Sequence, residues 1–434
     1  MNIRIEKTSS EKGQTLISEL FNRFSSGDSN CETIVRDILN DVQQNGDKAV
    51  LRYIRQYDSP NMTVEQLRTS DQEFDMAEQE VDQDFKKTLK LAAHRIRSFH
   101  EREMEDSWFI TREDGSITGR MVRPVDRAGL YVPGGQGGTT PLVSSVLMNA
   151  IPAMIAGVPQ KVMVTPPNQE GKVNPALLVA AREVGITEVY KAGSAWAIGA
   201  LAYGTQTIPK VDVIVGPGNR FVTEAKKQVN GQIRIDMIAG PSEVLIIADS
   251  TANPAYIAAD MLAQAEHDPE ALPLLITTEE QIASSVVKEL EKQLTSLERQ
   301  DIALRSLNNR GLILIADSIE ESIELANDIA IEHLELQIED PWNWVPKIRH
   351  AGAIFLGHHT PEAAGDYMAG PNHVLPTMGT ARISSALGVE TFLKKSSIIA
   401  YSRQALLNDA EHILRLAKLE GLTAHGNSVH IRTT

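Results

Sequence analysis

Short apolar runs alternate with helical patterns from Ala128 onward, and this alternation constrains the fold more than any other feature of the chain. The runs form two series, at residues 129–132, 161–165, 188–191, 212–215 and 244–248, and then at 273–277, 311–316, 334–338 and 353–357. Helices are predicted between the runs, starting near residues 142, 175, 195 and 221 and spanning 279–297 and 318–330. Alternation of this kind implies right-handed crossovers and parallel sheets. We therefore predict an α/β fold with two doubly wound domains, whose cleft is the expected ligand site.

The segments outside the two series are predicted to be helical. Residues 1 to about 110 carry amphipathic patterns, and the polar stretch from Glu101 to Arg120 is predicted to be a connection or a small hairpin. The tail from about Gly388 is predicted to be helical as well. Its apolar stripe consists of Leu406, Leu407, Ala410, Ile413, Leu414 and Ala417.

Residues 236–268 read as a turn, a buried strand and a helix that ends in polar side chains. Asn253 and Pro254 are residue types that favour an N-cap and the first helical position. Gln264 and His267 are three residues apart, so they are neighbours on one helix face near its end. Such a pair is commonly solvated, and it indicates a metal site only when other ligand types accompany it.

Further ligand types occur in the second half of the chain. Nine of the eleven histidines follow residue 260. Glu332 and His333 are adjacent, Glu420 lies five residues before His425, and Asp366 sits in the glycine-containing stretch AAGDYMAG. Imidazole, carboxylate and amide-oxygen donors suit zinc or a neighbouring divalent metal. The adjacent glutamate and histidine can also divide acid–base work, although a pair of this kind is more often a surface feature.

Composition and charge exclude several classes of protein. The net charge of −15 argues against a nucleic acid or an anionic membrane as partner, because either would require a basic face. A single cysteine, Cys31, excludes an internal disulfide framework and fits a reducing compartment. The first residues lack the apolar core of a signal peptide, and residues 142–158 are predicted to be a buried helix instead of a span. We expect a cytoplasmic protein with no membrane partner.

Two glycine-rich turns follow predicted strands, YVPGGQGG at 131–138 and GPGNRF at 216–221. Each would present backbone N–H groups near the start of a helix, an arrangement that suits a phosphate group. The alternative is an ordinary strand–helix turn whose glycines supply positive φ. No G-x-G-x-x-G motif follows any predicted strand, so the usual dinucleotide-binding fingerprint is absent from the sequence.

Several segments together resemble the histidinol dehydrogenase family. They occur in the order of the family and read RPVDRAGLYVPGG, SSVLMNAIPA, GPGNRFVTEAKK, DMIAGPSEVLIIAD, LAQAEHDP, EHLEL, AGAIFLG, GDYMAGPNHVLPT and LEGLTAH. The resemblance implies an NAD-dependent, four-electron oxidation of L-histidinol through the aldehyde to L-histidine, the last steps of histidine biosynthesis. It also implies a zinc-dependent homodimer with two incomplete Rossmann-like domains.

The resemblance assigns roles to particular residues of this chain. Gln264, His267 and Asp366 match zinc ligands, and His425, reaching in from the other subunit, matches the fourth. Glu332 and His333 match the catalytic pair. Substrate contacts are implied for Ser242, Gln264, His267, His333, Asp366, Glu420 and His425. NAD contacts are implied for Tyr131, Asn219 and the position of Trp196, which stands in GSAWA where the family commonly has a glutamine.

We also predict how the chain divides. Residues 1–30 form an N-terminal arm, 31–128 and 248–386 form a first α/β domain with the metal and catalytic residues, and 129–247 form an NAD-binding α/β domain. Residues 387–434 form a helical tail that reaches the partner subunit. Three alternative functions remain: a zinc- and NAD-dependent dehydrogenase of another small polar alcohol, a metal-dependent hydrolase with Glu332 as base, and a binding protein without catalysis.

Overall fold

The structure is a computed structural model that describes residues 1–23, 29–134 and 141–434. The strands are β1 (Arg4–Lys7), β2 (Trp108–Thr111), β3 (Ile117–Pro124), β4 (Arg127–Tyr131), β5 (Gln160–Thr165), β6 (Glu188–Lys191), β7 (Val213–Val215), β8 (Arg234–Ile235), β9 (Glu243–Ala248), β10 (Leu272–Thr277), β11 (Leu312–Ile315), β12 (His333–Gln337), β13 (Ala353–Leu356) and β14 (Leu393–Ala400). The helices are α1 (Glu11–Phe21), α2 (Ser29–Asn45), α3 (Asp47–Tyr57), α4 (Asp71–Glu80), α5 (Gln83–His100), α6 (Val143–Ile155), α7 (Pro175–Glu183), α8 (Ser194–Tyr203), α9 (Arg220–Val229), α10 (Pro254–Ala265), α11 (Glu280–Leu294), α12 (Gln300–Asn309), α13 (Ile319–Ile329), α14 (Glu362–Ala364), α15 (Arg403–Leu419) and α16 (Thr423–Thr433).

Six parallel strands form one sheet, in the order β1-β11-β10-β9-β12-β13. Strand β9 lies inside the sheet and all of its residues are buried. Its side chains alternate between two cores, with Leu245 and Ile247 in one and Val244 and Ile246 in the other. Helices α1 and α13 contribute to the first core, and α10, α11 and α12 contribute to the second. An apolar run buried on both faces is therefore a central strand, as predicted.

Five parallel strands form the second sheet, in the order β6-β5-β4-β7-β8. Helices α4, α5, α6 and α7 contribute to the core on one side, and α2, α3, α8 and α9 to the core on the other. A third sheet is antiparallel, in the order β14-β3-β2. The tail helices α15 and α16 follow it and pack chiefly against each other. No helix in the described ranges is long and apolar enough to cross a membrane.

The predicted α/β class and its parallel sheets are confirmed. Each of the nine predicted strands is present with ends within two residues of the expected positions. Residues 143–155 form the predicted buried helix, and the polar stretch after Glu101 contains the hairpin of β2 and β3. Asn253 caps α10 by accepting a hydrogen bond from the Ala255 N–H at 2.9 Å.

Two predictions of secondary structure were wrong, and one helix was missed. The N-terminal arm contains β1, which pairs with β11 at the sheet edge. The tail contains β14, an eight-residue strand antiparallel to β3, before its helices begin. Helix α12 lies in a stretch for which no element was predicted. Strand β1 is mostly polar and β14 is mostly exposed. Each pairs with a neighbour on one side, so cross-strand hydrogen bonds stabilise it where hydrophobic periodicity gives no signal.

The packing differs from the predicted domain division in two places. Helices α2 and α3 pack against α8 and α9 on the five-stranded sheet, although residues 31–128 were grouped with 248–386. Strand β9 belongs to the six-stranded sheet, although residues up to 247 were placed in the other domain. The physical reason is that apolar residues predict burial without identifying the sheet that covers them. No local pattern therefore marks the point between β8 and β9 where the chain passes from the five-stranded to the six-stranded sheet.

Candidate active site

The adjacent Glu332 and His333 lie where helix α13 meets strand β12. Ala330 ends the helix in the left-handed conformation, at φ 51°, and the chain enters the strand at His333. His333 aligns with Val244 of β9, one residue beyond Glu243, so both strands begin at the site. The pair therefore lies at the amino ends of the six-stranded sheet, whereas ligands of open parallel sheets usually bind at the carboxyl ends.

His333 is buried, and its two ring nitrogens have different environments. Nδ1 lies 3.0 Å from the carbonyl oxygen of Glu243, which can only accept, so Nδ1 carries the proton and donates. Nε2 is buried and has no partner in the described part of the chain. Burial lowers the pKa of His333 to about 4, against an opposing effect of Asp366. His333 is thus a neutral imidazole whose Nε2 can accept a proton.

Glu332 is buried beside His333. Its Oε2 accepts a hydrogen bond from the Glu243 N–H at 2.7 Å and lies 3.6 Å from Nδ1 of His333. Burial raises the pKa of Glu332 well above its usual value, the hydrogen bond from Glu243 lowers it, and the charges of Glu243 and Asp366 raise it further. An ionised Glu332 is consequently a stronger base than an exposed carboxylate.

A group of possible metal ligands lies next to this pair. His267, Glu362 and Asp366 each offer one ligand atom, and these atoms all lie within 4.8 Å of one another. His267 is exposed, Asp366 is half-buried and Glu362 is buried. Gln264 is also buried, and its amide nitrogen, turned toward Glu362, donates to both carboxylate oxygens at 3.2 and 3.0 Å. Three of the four predicted metal ligands are therefore neighbours of Glu362.

The glutamate–histidine pair and the group of possible metal ligands lie at one cavity of about 510 Å³, which is lined by His333, Asp366 and His373 among others. The sequence analysis missed Glu362 and His373. Glu362 lies four residues before Asp366, a spacing that puts both on one helix face and could have revealed it. The buried Nε2 of His373 has no hydrogen-bond partner among the described residues, and burial lowers the pKa of His373. No periodic pattern marks His373, because it lies in an irregular segment.

The structure brings some predicted residues to this site and leaves others away from it. Ser242 precedes Glu243 at the start of β9 and is half-buried. Glu420 and His425 lie at the end of α15 and in α16, and both are exposed. Neither lines the cavity formed by the described residues of this chain.

The residues predicted to contact NAD lie on the five-stranded sheet. The hydroxyl oxygen of Tyr131 accepts a hydrogen bond from the Ser194 N–H at 3.2 Å, and burial raises its pKa. Trp196 is 5% exposed, and the rings of Tyr53 and Tyr57 stack on its indole with centroids 5.6 Å away. The indole thus packs α8 against α3, so little of its surface remains for a cofactor.

The glycine-rich turn at 216–221 opens helix α9. Asn219 caps the helix by accepting from the Phe221 and Val222 N–H groups. Gly216 has φ 111°, and its N–H donates to Asp236 at 2.7 Å. Lys226 forms a buried ion pair with Asp236 and donates to the Gly216 carbonyl at 3.0 Å. The other glycine-rich turn is described only as far as residue 134, so its 135–138 part lies outside the described residues.

Parallel α/β sheets, a buried glutamate–histidine pair and an adjacent group of metal-type ligands define an α/β enzyme that combines acid–base chemistry with a metal site. A family model described as histidinol dehydrogenase matches residues 22–433. The chain belongs to the histidinol dehydrogenase family and is an oxidoreductase. The resemblance noted in the sequence is confirmed.

Individual relatives support this assignment along the whole chain. Histidinol dehydrogenase of Desulfotalea psychrophila is 67% identical over 432 residues and covers 100% of both chains. The protein of the same name from Nitratidesulfovibrio vulgaris is 51% identical over 434 residues, again covering 100% of both. The crystal structure of histidinol dehydrogenase from Elizabethkingia anophelis superposes with a TM-score of 0.91 at 38% identity, covering 99% of this chain and 98% of the other.

Enzymes of this family use zinc and NAD. The residues at the site fit a zinc ion, because His267 and Asp366 offer imidazole nitrogen and carboxylate oxygen within the distance that a single ion can bridge. Gln264 adds an amide beside them, and the chain's single cysteine lies elsewhere, in α2. The donor set is thus the nitrogen–oxygen type that the sequence predicted.

Proposed function

We propose that this chain oxidises L-histidinol through the aldehyde to L-histidine, consuming two NAD⁺ and one water and forming two NADH. The observation that carries the proposal is the unpartnered Nε2 of buried His333, in one cavity with Asp366 and beside Glu332. A neutral base and a carboxylate side by side are what an alcohol oxidation followed by hydration of an aldehyde requires.

In the first step, Nε2 of His333 accepts the hydroxyl proton of histidinol as hydride leaves the carbinol carbon for NAD⁺. The low pKa of His333 keeps its imidazole neutral and ready to accept that proton at neutral pH. Gln264, His267 and Asp366 would hold zinc together with His425 of the partner subunit. Bound there, zinc would orient the amine and imidazole nitrogens of the substrate.

In the second step, Glu332 removes a proton from water as the water oxygen adds to the aldehyde carbon. The resulting hydrate anion loses hydride to a second NAD⁺, and the carboxylic acid so formed releases its proton to give the carboxylate of histidine. Burial strengthens Glu332 as a base, and its hydrogen bond from the Glu243 N–H holds the carboxylate in place. The nicotinamide carries the hydride, and the protein supplies position and proton transfer.

Further contacts complete the proposal. Ser242 and Glu420 contact the substrate, and the carboxylate of Glu420 binds its cationic amine. Tyr131, Asn219 and the position of Trp196 contribute to the NAD site. Two subunits share each active site, because Glu420 and His425 lie in exposed tail helices away from the cavity of their own chain. Leu416 and Leu419 in that tail are 60% and 79% exposed, which supports an interface there.

The test is to count NADH formed per histidinol consumed. We expect two, with little free aldehyde released, because the base for the alcohol lines the cavity and the carboxylate for water lies beside that base. A ratio of one, with aldehyde caught by a scavenger, would contradict the four-electron reaction. Other amino alcohols and anionic diols serve as comparison substrates, and formation of NADH at all separates a dehydrogenase from a hydrolase.

A further inference from the structure

Arg23 and Glu243 form a buried ion pair at the edge of the active site. The guanidinium Nε donates to Oε1 of Glu243 at 2.6 Å, and Nη2 donates to Oε2 at 2.9 Å. The two side chains are only 4% and 2% exposed. A two-pronged contact of this kind fixes the orientation of the carboxylate as well as its distance. Neither side chain has a role in the reaction described above.

The remaining donors of Arg23 bind two helix ends. Nη1 donates to the Leu20 carbonyl at 2.9 Å, near the end of α1, and Nη2 donates to the Ile329 carbonyl at 2.9 Å, at the end of α13. Ile329 lies three residues before Glu332. Arg23 thus connects the strand that begins at Glu243 with the turn that leads into Glu332 and His333.

The backbone of Glu243 contacts three functional side chains. Its N–H donates to Glu332 at 2.7 Å, and its carbonyl accepts from Nδ1 of His333 at 3.0 Å. The same carbonyl accepts from the amide of Gln264 at 3.2 Å. Because Nδ1 is held as the donor, Nε2 must be the nitrogen that accepts a proton. A displacement of this one residue would therefore disturb the base, the carboxylate and a predicted metal ligand together.

Glu243 needs an anchor because it is the first residue of β9. Residues 236–242 before it have no regular secondary structure, so no strand holds the chain on that side. A buried ion pair is a weak source of stability, since the cost of removing two charges from water offsets their attraction. The location of the ion pair beside the active site therefore explains its presence better than a contribution to stability does.

We propose that Arg23 and Glu243 are positioning residues for the reaction: the guanidinium anchors Glu243, whose backbone N–H and carbonyl hold Glu332 and His333 in their working orientations. This inference rests on the proposed function for its catalytic consequence. The alternative is that the two charges are a structural ion pair that only supports folding.

Single and double substitutions separate these two roles. Arg23→Met and Glu243→Gln each leave a buried charge without its partner, so both should lower the melting temperature and kcat. Arg23→Met combined with Glu243→Met replaces both charged side chains by apolar ones of similar length. No unpaired charge is then left buried, so the melting temperature should recover. For a positioning pair, kcat of the double variant stays about 10- to 100-fold below wild type. Wild-type kcat in a double variant of recovered melting temperature would overturn the proposal.

Arg23→Lys provides a second variant if the double variant does not fold. It retains the positive charge, but an ammonium group cannot reproduce the bidentate contact of the guanidinium with both carboxylate oxygens. We expect a folded protein with reduced kcat. Full activity of Arg23→Lys would show that the geometry of the contact does not matter, which contradicts positioning.

The tautomer of His333 is a direct readout that needs no turnover. In protein labelled with ¹⁵N-histidine, the His333 signals can be assigned by their loss in His333→Gln. Wild type should show the proton on Nδ1, and the Arg23 and Glu243 variants should show a mixture of both tautomers. An unchanged tautomer in every variant would overturn the proposal. If wild type forms no NADH from histidinol, the proposed function fails while this measurement still tests the anchor.

Lys191→Met is the matched control. The Lys191 side chain is 3% exposed and forms an ion pair with Glu73 in the other half of the molecule, on β6 and α4. Its loss should lower the melting temperature as the Arg23 variants do, while kcat and the His333 tautomer stay unchanged. An equal loss of kcat in this control would attribute the effect to general destabilisation and remove the support for a positioning role.

Discussion

Two adjacent residues acquire opposite pKa shifts from the same burial. Desolvation disfavours the charged form of each, so it raises the pKa of Glu332 and lowers the pKa of His333. The backbone of Glu243 opposes both shifts, because its N–H donates to the carboxylate and lowers the pKa of Glu332, whereas its carbonyl accepts from the imidazole and raises the pKa of His333. The pair thus provides two bases of different strength beside one another, as the proposed two-step oxidation requires.

Glu332→Gln should impair the aldehyde-to-acid half more than the alcohol-to-aldehyde half. Only the second half needs an activated water, and an amide cannot accept a proton from it. We expect a loss of about 10²- to 10⁴-fold with supplied aldehyde and a smaller loss with histidinol under single-turnover conditions. Equal losses in the two half-reactions would remove the division of labour between Glu332 and His333.

The lowered pKa of His333 predicts a pH dependence of stability. An unfolded histidine binds a proton near pH 6.5, whereas His333 in the folded protein binds one only near pH 4, so acidification favours the unfolded chain between these values. The metal-free protein should lose about 2 kcal/mol between pH 7 and pH 5 through this residue. Urea unfolding at both pH values checks this, with His333→Gln, which cannot titrate, as reference. Parallel losses in the two proteins would contradict it.

At the scale of elements, the turn between β7 and α9 is held by groups that are distant in sequence. Gly216 in this turn bonds to Asp236 and Lys226, which form a buried ion pair. A Cβ at Gly216 would lie 2.1 Å from the carbonyl oxygen of Tyr131, the last residue of β4. The turn therefore touches the end of β4 so closely that only glycine fits.

Gly216→Ala should weaken NAD binding. The methyl group would push the turn away from Tyr131, and φ 111° adds backbone strain of about 1–3 kcal/mol. We expect KM for NAD to rise at least about tenfold, with zinc content unchanged, if α9 and its turn contribute to the NAD site. Gly231→Ala is the control, because Gly231 has φ 95° and a Cβ there meets nothing within 4 Å. A rise in KM of the same size in both variants would attribute the effect to strain alone.

At the scale of the whole molecule, the proposed function assigns different parts of one site to the two sheets. The acid–base pair and the metal-type ligands lie at the amino ends of the six-stranded sheet, and the glycine-rich turns follow the carboxyl ends of β4 and β7. The tail carries Glu420 and His425 on exposed helices, beyond a strand that pairs with β3. Under the proposed function, a second chain supplies those two residues to the active site.

A mixed dimer tests this sharing. His425→Ala and His333→Ala should each be inactive as homodimers. In a mixed dimer, one site combines the intact body of the first variant with the intact tail of the second, so random assortment should restore about a quarter of wild-type activity. Unfolding and refolding the two variants together provides the measurement. Verified subunit exchange without recovered activity would place His425 in the site of its own chain.

Local patterns in the sequence determined much of the fold and several site residues. The spacing of short apolar runs and their apolar content predicted the nine strands of the two series, because a strand buried on both faces must be apolar throughout. Motif order assigned Gln264, His267, Glu332, His333 and Asp366, and all five lie at or beside one cavity.

Only the tertiary structure decided which distant segments meet. Helices α2 and α3 pack on the five-stranded sheet, β14 pairs with β3, and Arg23 contacts Glu243 across 220 residues of chain. Glu362 joins His267 and Asp366 for the same reason. Sequence patterns report whether a residue is buried or lies on a given face of its own element. They do not identify the segment that packs against that residue across the core, because hydrophobic burial is non-directional and many surfaces satisfy it equally.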